Sequence, residues 1–492
     1  MSGPIRCAFA VLATAVLAGC AAVDIDGAVR DIDTRAGAFT DGALRLDRTA
    51  AQRERGAALA DELLADPLSR DDAVRLALTR SPAVQALLAQ GWAELAAARQ
   101  LGRLPNPVFS FERVRLGGEV ELGRLLSVGL VDLLLWPQRR ALSEGQVAQA
   151  RLQLAAGVVD QVTAVRQAWT RAVAARQLLH YARQVDRSAQ ASAELARRMR
   201  QAGNFSRLQQ ARQQVFHADA VTRLAQAQHA DVAARETLVR ILGLDGARAA
   251  RLTLPERLPD LPPAPRAPEE VAARGGDERL DIQLARARLD VAGRAQGLNL
   301  LPSIVDVDVG IRRDTVADEA AGTRGTRRGV ELDLRLPLFD TGGALREALD
   351  ARSLAAARRY DATVLGAASQ LREGYSAYRT AYDVARHERD EVVPLRQVIA
   401  DENLLRYNGM FIGVFELLAE AREQVAGVTR AIEAQRQFWL ADAALAATVI
   451  GRPEPVASPA GSFTGVTAAL PSGAAGSPFA APATGIAPAA GH

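Results

Sequence analysis

The sequence predicts a mainly α protein with a small β part, built from duplicated long α-helical hairpins and four strands. Three observations predict this fold class. Aromatic residues make up only 4% of the 492 residues, while Ala, Leu, Arg and Gln are abundant, which is typical of long helices. The same landmarks recur in the same order in both halves of the chain. Two segments alternate between apolar and charged residues with the period of a β-strand.

Charge and composition exclude several function classes. The chain carries 60 basic residues, all of them Arg, against 57 acidic ones, so no strong field indicates a nucleic-acid partner. The two cysteines, Cys7 and Cys20, both lie at the N-terminus, which excludes a disulfide framework and a cysteine zinc site. The five histidines are scattered, and no phosphate loop or nucleophile elbow is present. We therefore expect no enzyme, no cofactor and no metal site.

The N-terminus has the pattern of a secretory signal over residues 1–19, with Arg6 before a short apolar stretch. It ends in Leu17-Ala18-Gly19-Cys20, which resembles the bacterial lipobox. This resemblance implies cleavage before Cys20 and a lipid on its thiol. Ala21 does not resemble an inner-membrane retention signal, so the outer membrane is implied. The alternative is an ordinary cleaved signal with an incidental cysteine.

Internal duplication organises the rest of the chain. Four landmarks of the first half recur in the second at a nearly constant separation: Leu104-Pro105 as Leu301-Pro302, Pro137 as Pro337, Gly203 as Gly409, and Ile241-Leu242-Gly243 as Val449-Ile450-Gly451. The predicted segments are a lipidated N-terminal segment 20–66, a first repeat 67–243, a Pro-rich linker 244–268 that forbids a helix, a second repeat 269–451, and a disordered Pro/Ala/Gly tail 452–492.

Each repeat is predicted to contain a helix, a β-hairpin and a long helical hairpin. The first helices cover about 70–101 and 268–299. Pro137 to Gly203 and Pro337 to Gly409 each predict a helical run roughly 100 Å long. Apolar residues spaced by three and four, such as those from Val158 to Val173, predict stripes that pack against partner helices.

The second hairpin shows the clearest strand pattern, over 304–312 and 330–336. The first is predicted over 107–115 and 124–136, with turns at Gly117-Gly118 and 314–329. The alternation of apolar and charged residues fits a soluble half-buried sheet, and equally a transmembrane barrel with a watery lumen. In the second case five residues face the lumen: Asp306, Asp308, Glu331, Asp333 and Arg335. Because four strands cannot close a barrel, several chains would have to contribute.

Local motifs strengthen one interpretation. They are Leu104-Pro105-Asn106-Pro107 before the first strand, the tip from Gly203-Asn204-Phe205-Ser206 to Arg212, and the tip from Tyr407-Asn408-Gly409 to Leu418. With the duplication, they make the chain resemble the TolC-type outer-membrane efflux factor family over nearly all of residues 60–451. The Pro-Asn-Pro motif that precedes the first strand is most similar to the heavy-metal cation branch of that family.

The resemblance implies a homotrimer with a twelve-stranded barrel and a coiled-coil tunnel of twelve helices. It would be a lipoprotein of the outer membrane of a Gram-negative bacterium, anchored on the periplasmic side, with its helices projecting into the periplasm. As a passive conduit it would export metal cations or drugs. A periplasmic adaptor protein and an inner-membrane pump would be its partners.

The second tip carries the predicted periplasmic gate. In the family an acidic ring narrows the entrance; here the matching segment offers Glu416, with Glu420 one turn on. Ala419 departs from the family pattern, and a solvated helix face is the alternative. Gly203 and Gly409 are expected to supply turn conformations that other residues avoid. The predicted tip and adaptor contacts are Gly203, Asn204, Phe205, Ser206, Tyr407, Asn408, Gly409, Met410 and Phe411, with Ile412 and Phe415 packing beside them.

Two other classes stay open from the sequence. One is a lipid-anchored periplasmic coiled-coil scaffold with no pore, whose hairpins form a soluble cap. The other is a secreted enzyme or binding module on a helical frame. A cleft with clustered polar groups would favour the second, and the sequence does not indicate one.

Overall fold

The computed structural model describes residues 24–452, apart from 118, 277–278, 299–305, 319–321, 336–337 and 340–341. The predicted signal peptide, the lipidation residue Cys20 and the predicted tail from 453 onward lie outside the described residues. Arg452, the last described residue, forms an ion pair with Asp160.

Helices dominate the described part of the chain. They are α1 Ile25–Arg35, α2 Gly37–Thr40, α3 Ala50–Leu63, α4 Arg70–Arg80, α5 Pro82–Leu101, α6 Leu130–Gln201, α7 Arg207–Leu242, α8 Gly246–Arg251, α9 Pro268–Arg274, α10 Leu280–Leu298, α11 Gly343–His387, α12 Val393–Asn408 and α13 Val414–Ile450. The strands are β1 Val108–Leu116, β2 Glu119–Gly129, β3 Asp306–Asp318 and β4 Thr323–Arg335. The predicted fold class, mainly α with a small β part, is confirmed.

The four strands form one antiparallel sheet in the order β1-β2-β3-β4. Its central pair, β2 and β3, joins the two repeats, with Glu119 opposite Asp318 and Gly129 opposite Asp308. Each repeat thus supplies one hairpin to a shared sheet. In the part of the chain that the structure describes, no helix is both long and apolar enough to cross a membrane.

Both hairpins differ from the predicted bounds. The predicted turn 314–329 is wrong: β3 continues to Asp318 and β4 begins at Thr323. The ladder of backbone hydrogen bonds persists there although the apolar alternation has stopped. In the first hairpin, β2 ends at Gly129 rather than near 136, and α6 begins at once.

Pro137 lies inside α6 rather than opening it. The first turns of the helix are fixed by tertiary contacts, because Leu135 is buried and the Trp136 indole N–H donates to the Gly102 carbonyl at 3.0 Å. At 72 residues, α6 is about 100 Å long.

The corresponding run of the second repeat is interrupted. It begins at Gly343, and a π-helix, Glu388–Val392, separates α11 from α12. Pro394, at the start of α12, has no N–H to donate and crowds the carbonyl one turn earlier. A wider π-turn accommodates that crowding. The prediction of an unbroken helix from Pro337 is therefore wrong.

The predicted first helices are each broken as well. Ser81 separates α4 from α5, because the residue before Pro82 is pushed out of the helical region. Its hydroxyl donates to the Ile241 carbonyl at 2.7 Å. In the second repeat the break follows α9 at Gly275.

The core lies where α6 meets the N-terminal helices and α7. The predicted stripe is confirmed, since Val158, Val162 and Trp169 are all buried. The Trp169 indole N–H donates to the Leu68 carbonyl at 2.9 Å. The N-terminal segment joins this core through Ile25 and Ile32 of α1.

The prediction that the Pro-rich linker 244–268 forbids a helix is wrong for its first part, because α8, Gly246–Arg251, forms before the first proline, Pro255. Aromatic residues of the second repeat hold the backbone of the linker. The Tyr382 hydroxyl donates to the Pro262 carbonyl at 3.1 Å, and the Trp439 indole N–H donates to the Pro259 carbonyl at 3.0 Å. The Tyr378 hydroxyl accepts from the Arg266 N–H at 3.1 Å. These contacts give partners to backbone groups that no helix or strand satisfies.

Candidate functional site

One face of the sheet is strongly charged. In the register of β3 and β4, Asp308 lies opposite Asp333 and Glu331 lies opposite Gly310. Asp306 and Arg335 are also register partners. Because side chains alternate along a strand, these five positions share one face. The structure therefore brings all the residues predicted to face a lumen to the same side of the sheet.

A guanidinium at the centre of this face joins three strands. Arg312 contacts Asp314 on its own strand at 3.0 Å, Glu331 of β4 at 3.4 Å and Glu112 of β1 at 3.6 Å. The carboxylate of Asp314 is largely covered. Glu331 was predicted for this face, whereas Glu112 and Asp314 were not, because their proximity to Arg312 depends on strand register.

The opposite face is apolar over the half of the sheet nearest the helices. Phe109, Leu126, Ile311 and Val330 form one row across the four strands, and all four are exposed. Leu332 and Leu334 of β4, on the same face, are exposed as well. Neighbouring exposed apolar residues of this kind mark a membrane or protein contact.

The first helix tip, between α6 and α7, is closed by local hydrogen bonds. Gly203 has φ +81°, and the Asn204 N–H donates to the Met199 carbonyl at 2.8 Å. Ser206 caps α7: the Gln209 N–H donates to its hydroxyl at 3.2 Å, and its own N–H donates to the Gln209 side chain at 2.6 Å. Phe205 is buried beneath the turn. The left-handed conformation expected for Gly203 is present.

The second tip, between α12 and α13, has its left-handed backbone conformation at a non-glycine residue. Gly409 has φ −79°, so the conformation expected for it is wrong; Met410 has φ +64° instead. A Cβ at Gly409 would lie 2.8 Å from the exposed Phe411 ring, so that ring would have to move. Met410 and Phe411 are 93% and 80% exposed. Ile412 is buried, while the side chain of Phe415 lies outside the described part.

The two acidic residues of the predicted gate have different surroundings. Glu416, in the first turn of α13, is exposed and has no ion pair among the described residues. Glu420 is half-buried, and Arg396 of α12 lies 3.4 Å from it. The same guanidinium is 3.3 Å from Glu423. Arg396 and Glu423 were not predicted, because nothing in the sequence indicates which residues of antiparallel helices meet.

Arg422 of α13 contacts the other helical hairpin near the tips. The guanidinium of Arg422 on α13 lies 4.7 Å from the centre of the Phe216 ring on α7. It also donates to the Arg212 carbonyl at a long 3.5 Å. This contact was also missed by sequence reasoning. Among the described residues, no group of His, Cys, Asp and Glu could hold a metal ion.

No protein-family model matches the chain. It is 31% identical over 310 residues to the protein CyaE of Bordetella pertussis, a match that covers 56% of this chain. The chain spans 61% of the length of that curated relative.

Solved structures give the fold. The outer membrane protein VceC from Vibrio cholerae matches with a TM-score of 0.65 at 15% identity, over 78% of this chain and 97% of that one. The CmeC outer membrane channel of Campylobacter jejuni matches with a TM-score of 0.65 at 13% identity, over 78% and 85%. The chain has the fold of these outer-membrane channels. The predicted mainly α fold with duplicated helical hairpins and four strands per chain is thereby confirmed, while the trimer, the closed barrel and the heavy-metal branch stay predictions.

Proposed function

We propose that the chain is the outer-membrane channel of a tripartite efflux system, a passive homotrimeric conduit from the periplasm to the outside. The observation that carries this proposal is the two-faced sheet, with an apolar row on one face and carboxylates on the other, in a chain with the fold of outer-membrane channels. The heavy-metal cation branch belongs to the same proposal, with metal cations or drugs as the exported solutes.

The sheet supports a membrane barrel made from several chains. Its edge strands, β1 and β4, need partners, because lipid does not tolerate unpaired backbone groups. Three copies would give twelve strands, which leave room for water inside, whereas about eight strands form a filled barrel. The charged face would then line the lumen. Asp308, Glu331 and Asp333 would favour cations there.

The long helical hairpins support a tunnel through the periplasm. At about 100 Å, α6 has the length that such a span requires. The two tips would meet the periplasmic adaptor, which in turn contacts the inner-membrane pump. Exposed Met410 and Phe411 supply an apolar surface for that contact. The pump would supply the energy of transport, and the channel would supply the path.

Glu416 is the residue we propose for the gate. Three symmetry-related carboxylates near a narrow axis would concentrate cations. Glu420 is less suited to this role, because Arg396 lies beside it and balances its charge. Lipidation at Cys20 would add a periplasmic-side anchor in the outer membrane, since acyl chains bind membranes strongly.

A pore-free periplasmic scaffold is less well supported. Its hairpins would have to leave Phe109, Ile311 and Val330 in water, and these side chains are exposed in the chain described here. A soluble cap would be expected to bury such a surface.

The proposal is tested by recording from purified, lipidated protein in planar bilayers, after its mass has been measured in detergent. We expect a trimer that conducts and prefers cations. A trimer with very low current would be consistent with closed tips, and Glu416 variants would then be recorded. A monomer that neither inserts nor conducts would contradict the proposal and favour the scaffold.

A further inference from the structure

Six arginines lie together on the outward face of the sheet, at the end where both hairpins turn. We call them the arginine belt: Arg113, Arg115, Arg124, Arg313, Arg324 and Arg328. Three of them, Arg124, Arg313 and Arg328, occupy one row across β2, β3 and β4. Because adjacent strands are about 4.8 Å apart, their guanidinium groups can reach a common ligand.

The charges of the sheet are segregated by face. Within the strand ranges, every acidic residue occupies a position of the charged face, and the outward face contains none. On the charged face, Arg312 and Arg327 form ion pairs with carboxylates. Arg113, Arg124, Arg313, Arg324 and Arg328 share the outward face with no acidic strand position. Of these five, Arg113, Arg313, Arg324 and Arg328 are exposed.

The belt also has a defined height. It begins directly beyond the apolar row of Phe109, Leu126, Ile311 and Val330, and it extends to the hairpin ends. Arginine is unfavourable in the hydrocarbon layer and is tolerated near the interface. If the apolar rows lie in hydrocarbon, the belt lies at the headgroups of the leaflet on the hairpin side.

We infer that the arginine belt binds the phosphate groups of a phosphorylated glycolipid in the outer leaflet. This inference rests on the proposed function, because it requires the sheet to span an outer membrane. A guanidinium presents a planar fork of donors that matches phosphate oxygens. Arg124, Arg313 and Arg328 share one row, and their forks could hold a ring of such headgroups around the barrel and fix its depth in the membrane.

The test compares lipid retention in detergent by native mass spectrometry. The probe is lipid A with two phosphates, and the reference is the same lipid with its phosphates removed. The belt variant combines Arg113→Gln, Arg124→Gln, Arg313→Gln and Arg328→Gln. The matched control removes four exposed arginines of the helices: Arg200→Gln, Arg207→Gln, Arg223→Gln and Arg359→Gln. A third variant replaces the four belt arginines by lysine.

We expect the wild type and the control to retain phosphorylated lipid A equally, and the belt variant to bind it about tenfold more weakly. The lysine variant should bind more weakly than the wild type and more strongly than the belt variant, because it keeps the charge and loses the planar fork. Lipid without phosphates should bind all variants alike. Excess inorganic phosphate should compete no better than chloride at equal ionic strength; stronger competition would indicate a site for free phosphate.

Equal retention by the wild type and the belt variant would overturn the inference, as would equal binding of the phosphate-free lipid. Conductance of the same proteins separates this result from the proposed function. If the wild-type channel conducts normally but shows no preference for the phosphorylated lipid, only the lipid inference is rejected. If the protein binds the lipid through the belt but never conducts, the proposed channel function is rejected instead.

Discussion

The tip between α6 and α7 satisfies its own polar groups, whereas the tip between α12 and α13 leaves apolar groups exposed. In the first, Gly203 takes the left-handed conformation without strain and Ser206 caps the next helix. In the second, Met410 takes that conformation despite its side chain, and Gly413 provides no side-chain cap. Phe205 is buried at one tip, while Phe411 is exposed at the other.

This difference separates structural from functional roles in a duplicated chain. Strain and exposed apolar surface persist where the surroundings or a partner make use of them. The second tip also carries the unpaired Glu416. We therefore expect substitutions at the first tip to change stability and substitutions at the second tip to change transport.

Removal of the charge of Glu416 should have the largest effect. We expect Glu416→Gln to reduce the ratio of cation to anion permeability severalfold, and Glu416→Lys to reduce it further, because the charge near the axis is lost and then reversed. Bilayer recordings would measure the ratio. Glu402→Gln, an exposed acidic residue on the other helix of this tip, is the control. Equal selectivity of Glu416→Gln and wild-type channels would remove Glu416 from the gate.

Alanine at the two tip glycines should distinguish their roles. Gly203→Ala should destabilise the first tip by about 1–2 kcal/mol, because alanine disfavours the left-handed conformation. Gly409→Ala should cost less, since its backbone is ordinary and the exposed Phe411 ring can move. Hydrogen exchange of the tip amides measures both. A larger effect at Gly409 would mean that the Phe411 contact is rigid.

Substitutions at the two helix N-caps should change the stability of the first helical turn in opposite directions at the two tips. Ser206→Ala is expected to destabilise the start of α7 by about 1 kcal/mol, because it leaves the Gln209 N–H without its acceptor. Gly413→Ser should stabilise the start of α13 by a few tenths of a kcal/mol by adding a cap. Hydrogen exchange at the first turn of each helix is the measurement. Equal protection in Ser206→Ala and the wild type would contradict this role.

The contact between the hairpins should have a smaller effect. Arg422→Gln removes the cation from the Phe216 ring and should weaken the association of α13 with α7 by about 0.5–1 kcal/mol. Phe216→Leu tests the same contact from the other side. The two changes should be non-additive in a double-mutant cycle. Additive effects would show that the ring and the guanidinium act independently.

The smallest effect is expected away from both tips, at Asp61. Hydrogen bonding from Arg248 and the charges of Arg248 and Arg251 hold the pKa of Asp61 below its ordinary value of 3.8. The carboxylate therefore stabilises the fold above that value, and the effect is lost as pH falls through the lowered pKa. Asp61→Asn should lower Tm by about 1–2 °C at neutral pH. The difference should shrink in acid, and a constant one would mean that the charge is not its cause.

Much of the architecture was predictable because periodicity is local. Alternation around Asp306 and Asp308 predicted strands and the side that carries the charges, and the valines near Val158 predicted a buried helical face. Predictions failed where the sequence had no apolar periodicity or where tertiary contacts outweighed that periodicity. Arg327 and Arg328 have no apolar alternation around them, yet β4 continues there because its partner strand does. The apolar run before Pro137 resembled a strand, but its contacts with α5 and Gly102 made it helical.

The sequence by itself determined which residues are apolar or charged, how often they recur, and where glycine and proline interrupt them. Only the tertiary structure decided which strands are neighbours and which helices meet. It therefore decided that Glu112 lies beside Arg312, that Arg396 balances Glu420, and that six arginines from four strands share one face of the sheet beyond the apolar row. These relations depend on register between segments that are distant in the chain, and no local pattern encodes them. The strain at the second tip has the same origin, since Met410 rather than Gly409 must turn the chain toward α13.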